Sequence, residues 1–70
     1  MSLDDLERVR VRLREKFPYK KIIHNIELRR AVDVEVGTGL RNYIVIRREM
    51  IQQGMIKNHK DRWIRLIKGF

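Results

Sequence analysis

The sequence predicts an α+β fold of three helices, a short first strand and a C-terminal β-hairpin. Three stretches carry that expectation. The central one, VGTGLRNYIVIRREMIQQGMI over residues 36–56, lies between a Gly-Thr-Gly break and Gly54 and reads as one long helix. The stretch LDDLERVRVRLREKF has apolar residues at helical spacing and stops at Pro18. Near the C-terminus, two β-prone runs flank the polar tip Asn58, His59, Lys60 and Asp61, as in a hairpin.

The first helix is expected over residues 3–17. Ser2 and Asp5 have capping-box spacing, and Asp4, Asp5 and Glu7 place negative charge where the helix dipole favours it. Its buried face is Leu3, Leu6, Val9, Leu13 and Phe17, which leaves Arg8, Arg10, Arg12 and Arg14 spread around a solvated circumference with Val11. Residues 21–24, centred on two isoleucines, are too few for a helix and fit a brief strand.

Asn25 can cap a second helix over residues 26–36. Leu28, Ala31, Val32 and Val36 give it a helical face, although Val32, Val34 and Val36 also alternate as a strand would. The Ala, Leu, Glu and Arg of its first half favour the helix. The third helix, over residues 39–53, takes Thr38 as N-cap and Gly54 as terminator. Leu40, Tyr43, Ile44, Ile46, Met50 and Ile51 form its expected core face, and Arg41, Val45, Arg48 and Gln52 form an outward stripe. Arg47 falls within the apolar arc, where it would snorkel or pair with Glu27 or Glu35, and Glu49 borders the stripe. In the hairpin, over residues 55–67, alternation puts Ile56, Ile64 and Leu66 inside and Trp63 and Ile67 on the other face.

Seventy residues support a single domain with one small core, and no cysteine is present to staple it or hold zinc. The acidic amphipathic N-terminus is not a signal peptide, and no apolar run could span a membrane, so an intracellular protein, cytoplasmic or nucleoid-associated, is expected. The net charge of +8 is uneven. Residues 1–35 carry nine Lys/Arg against seven Asp/Glu, and residues 36–70 carry eight against two. An anionic partner is therefore drawn to the second half.

The order helix, strand, helix, turn, helix, hairpin resembles the winged-helix branch of the helix-turn-helix DNA-binding domains, over nearly the whole chain. Residues 50–56, MIQQGMI, are similar to that superfamily's junction between recognition helix and first wing strand. Gly37, Val32, Val36, Tyr43 and Ile46 stand where its pattern has glycine and apolar residues, and Asp33 stands where a small residue is usual. The resemblance implies a third helix in the major groove of double-stranded DNA and a wing on the backbone or minor groove. The residue types agree: Arg41 and Arg48 can fork onto guanine, Gln52 or Asn42 can read adenine, and Val45 can pack on a thymine methyl. Thr38 and the first-turn N–H groups would hold a phosphate, and Lys57, His59, Lys60 and Arg62 would add sequence-neutral contacts.

The expected function is sequence-specific DNA binding by a small transcriptional regulator, with no cofactor, no membrane contact and a possible homodimer built through Trp63. A packing partner for Trp63 on the first helix is the simpler expectation. The alternative function is protein association through Val11, Val34, Trp63 and Ile67. Catalysis is not expected, because His24 and His59 lie on different elements, no nucleophile motif occurs, and the GTG turn lacks the lysine of a phosphate loop. His59 and Asp61 are too few for a metal site.

Overall fold

The computed structural model describes residues 3–67 and Phe70, with Leu3 described by its backbone alone. The Ser2 cap and the Leu3 side chain expected above lie outside the described residues. The elements run α1 (Leu3–Lys16), β1 (Ile22–His24), α2 (Asn25–Glu35), α3 (Leu40–Gln52), β2 (Ile56–Asn58) and β3 (Trp63–Leu66). The strands form one antiparallel sheet in the order β1-β3-β2.

Leu6, Val9 and Leu13 of α1, Leu28, Ala31 and Val32 of α2, and Tyr43, Ile46 and Met50 of α3 converge on Ile23, Ile56 and Ile64 of the sheet. Each such aliphatic side chain contributes roughly 1.5–3 kcal/mol on burial. No polar or charged residue is buried among the described residues. Phe70 also joins this core, at 3% exposure, and its carbonyl accepts a hydrogen bond from Arg10.

α2 is a helix, and its cap differs from expectation. His24 is the N-cap, its Nδ1 accepting from the Ile26 N–H at 3.2 Å. Asn25 is already helical, and its own N–H donates to the Arg62 carbonyl at 2.8 Å, so the sheet pairing fixes where the helix begins. α3 likewise lacks the expected Thr38 cap: Gly39 is its N-cap, at φ 129°, and supplies no side chain. Only glycine adopts that conformation without strain.

At the other end of α3 the Met55 N–H donates to the Met50 carbonyl and the Gly54 N–H to the Ile51 carbonyl, with Gly54 at φ 75°. This is the paired-bond closure that glycine permits, and Met55 packs on the core beside it. It delivers the chain from α3 to β2 in three residues, Gln53, Gly54 and Met55.

The apolar positions of α3 divide between two arcs. Tyr43, Ile46 and Met50 are buried, but Leu40, Ile44 and Ile51, also expected inside, are 55%, 44% and 39% exposed. At about 100° per residue the second group is centred roughly a quarter-turn or more from the first, beyond the reach of α2 and the sheet.

Candidate nucleic-acid interface

The exposed side of α3 carries two parallel rows. Leu40, Ile44 and Ile51 form one; Arg41, Arg48 and Gln52, all exposed, form the other. Val45, expected on the outward stripe, is half-buried at its edge. The amide nitrogen of Asn42 is turned back onto the loop: it donates to the Gly37 carbonyl at 3.2 Å and lies 3.5 Å from that of Thr38. Its role is to hold the turn that enters α3. Thr38 is exposed on that turn.

The hairpin sets its charges apart from the core. Lys57, His59, Lys60 and Arg62 are all exposed, around a tip closed by the His59 N–H to the Trp63 carbonyl and the Trp63 N–H to the Lys60 carbonyl. Asp61 occupies the left-handed region there at φ 54°, which a short polar side chain tolerates. Arg47 ties helix to hairpin: its Nη2 donates to Asn58 Oδ1. It does not pair with Glu27 or Glu35, which are engaged by Lys16 and Arg30 and by Arg12 respectively.

Concavities among the described residues border α3. A shallow groove of about 270 Å³ is lined by Ile44, Arg47, Arg48, Ile51 and Asn58, so the exposed helix side and the hairpin share a wall. A cleft of about 550 Å³ is bordered by His24, Ile26, Arg29, Tyr43 and Arg62. Sequence spacing could not reveal either, since both depend on where α2 and the hairpin meet α3.

The ion pairs are distributed unevenly. Arg8–Asp5, Arg10–Glu7, Arg12–Glu35, Lys16–Glu27 and Arg30–Glu27 all lie on α1 and α2. Hydrogen bonds hold two of those carboxyls below their ordinary range, Glu7 through Arg10 and Glu27 through Lys16. Among the described residues, no ion pair involves a cation of α3 or the hairpin, and Glu49 makes none with Arg41 or Arg48. No cluster of three metal-ligating side chains occurs among the described residues, and no described helix is long and apolar enough to cross a membrane.

Comparison with known proteins gives no match to any family model, curated protein or solved structure.

Proposed function

We propose that the chain is a winged-helix, sequence-specific binder of double-stranded DNA, with α3 as the recognition helix and the β2–β3 hairpin as the wing, acting as a small transcriptional regulator. The observation that carries this reading is the set of uncompensated cations on one continuous region. Arg41 and Arg48 stand exposed on one helix row with Gln52, and Lys57, Lys60 and Arg62 stand exposed on the adjoining hairpin, while the cations of α1 and α2 are largely paired within the fold. Unpaired cations release counterions on meeting phosphates, which is the source of salt-dependent affinity. Arginine on an exposed helix row has the fork geometry that guanine edges require.

The second reading is a winged-helix domain for protein association, and one observation favours it. Leu40, Ile44 and Ile51 make an exposed apolar row on the helix that the first reading sends into the groove. Such a row is more usual at a protein contact than on a DNA-reading face.

Titration of random duplex DNA at two salt concentrations separates the readings. A nucleic-acid binder loses affinity steeply as salt rises, and an association module shows no salt-dependent affinity for DNA at all.

A further inference from the structure

The outer face of the sheet carries residues that the duplex reading does not use, Trp63 and Arg65 above all, beside Lys57, which the two readings share. Trp63 and Arg65 of β3 point away from the core, as does Lys57 of β2, and His24 and Ile22 of β1 complete the face. The register sets His24 opposite Trp63, and their rings meet edge to face with centroids 5.2 Å apart at 79°. The indole is nevertheless 45% exposed. The same register lays Ile22, Arg65 and Lys57 in a line across all three strands, one step along from the aromatic pair. Successive outward residues on a strand are about 7 Å apart and neighbouring strands about 5 Å apart. Trp63 therefore sits within one side chain's reach of two cations. None of the three strands contains a carboxylate, and Asp61 at the tip is the nearest acid in the chain to Trp63.

We propose that this face binds an unpaired nucleic-acid strand, with one base stacked on the exposed indole and adjacent phosphates on Arg65 and Lys57. The indole selects this occupant, because a flat π-face held open beside cations stacks on a base, and only an unpaired base offers its own face. Duplex DNA keeps its bases stacked on one another and gives Trp63 nothing to bind. A second copy of the chain is disfavoured by charge: an isologous contact would oppose Arg65 and Lys57 to their own images with no carboxylate on the face to offset them. The edge-to-face contact with His24 restrains the indole, and because His24 also caps α2, the platform is anchored in the fold. The site differs from the α3 row and can be tested apart from it.

Trp63 is the protein's one tryptophan, so its emission reports the site directly. The full chain is titrated with oligothymidylate, with oligouridylate and with a duplex of equal length. Saturable quenching by either single strand is the expected result, with the tighter of the two identifying whether DNA or RNA is the source. Read from the anisotropy of a fluorophore-labelled strand, which the tryptophan-free variants leave usable, Trp63→Ala should weaken single-strand binding about tenfold, Trp63→Phe should retain most of it, and Arg65→Ala should weaken it and flatten its salt dependence. The pair Arg41→Ala/Arg48→Ala should leave it unchanged, which separates this site from the duplex reading. The proposal is overturned if neither single strand alters the emission, if the duplex quenches it equally, or if the chain sediments as a dimer whose Trp63 emission shifts with protein concentration. Should Trp63→Ala lose its helical signal, Arg65→Ala decides, and an affinity equal to that of the unaltered chain refutes the platform.

Discussion

The two halves of the molecule handle the same kind of side chain in opposite ways. On α1 and α2, basic residues stand three positions from acids or face acids on the neighbouring helix, and five ion pairs result among the described residues. On α3 and the hairpin, the cations have no acid partner among the described residues. The one arginine there with a side-chain contact, Arg47, bonds a neutral amide. An exposed ion pair contributes only about 0.2–1 kcal/mol, so the pairing on α1 and α2 matters less for stability than for field: it cancels charge locally. The half without it projects its charge outward. Bulk composition contains this difference only as a charge excess; the pairing pattern turns it into a direction.

The largest expected effect tests whether α3 is seated as described. Ile46→Ala should cost about 2–5 kcal/mol of stability in denaturant unfolding, because Ile46 is 0% exposed, whereas Ile44→Ala should stay within about 0.5 kcal/mol. Equal costs at the two positions would mean that the helix is rotated and that the basic row does not face outward.

Next in size is the charge on the hairpin. Replacing Lys57, Lys60 and Arg62 together with neutral residues should lower the salt slope of duplex binding by roughly two to three units, and weaken specific and random sequences alike. The matching change at Arg8 and Arg12 of α1 should leave the slope as it was, since both are already paired. A slope that responds equally to both sets removes the distinction between the halves.

Arg41→Ala or Arg48→Ala should cost about 1–3 kcal/mol on a selected site and much less on random duplex. An equal loss on the two would make these residues phosphate contacts.

The smallest effect belongs to the self-neutralised half and appears in acid. Glu27 has its carboxyl lowered from 4.5, first by the hydrogen bond from Lys16. A depressed carboxyl contributes stability above its unfolded pKa and loses it as pH falls through the folded value. Thermal unfolding followed downward from pH 5 should therefore show a loss that Glu27→Gln removes, on the order of 1 kcal/mol or less, as for an exposed pair. A Glu27→Gln profile that matches the unaltered chain would assign the acid sensitivity elsewhere.

Helix type and strand alternation were legible in the sequence because they depend on local spacing. The period-two pattern of the hairpin puts Ile56 and Ile64 inside and Trp63 outside, as the described burial has them. Which half of the broad apolar arc on α3 would be covered was not legible, since that depends on the footprint of α2 and the sheet and not on α3 itself. Tyr43 and Ile44 are adjacent and both apolar, yet one is 8% and the other 44% exposed. Caps failed for a related reason. His24 and Asn25 can each cap a helix, and the choice is made by the hydrogen bond from the Asn25 N–H to the Arg62 carbonyl, across 37 positions of sequence. Asn42, which with Gln52 has the residue type that can read adenine, spends its amide nitrogen on the Gly37 carbonyl, a contact that local spacing does not reveal. Trp63 found its neighbour on β1 and not on α1, a consequence of strand order that no single stretch encodes. Phe70 gave no signal at all, lacking any periodic neighbour.

The most direct test of the division between the two halves is to follow every backbone amide by nuclear magnetic resonance while duplex DNA is added. Residues 40–52 and 56–62 should shift and α1 should stay still, because the outward charge lies on α3 and the hairpin. Shifts concentrated on α1 around Arg8, Arg12 and Arg14, with α3 unmoved, would contradict the account.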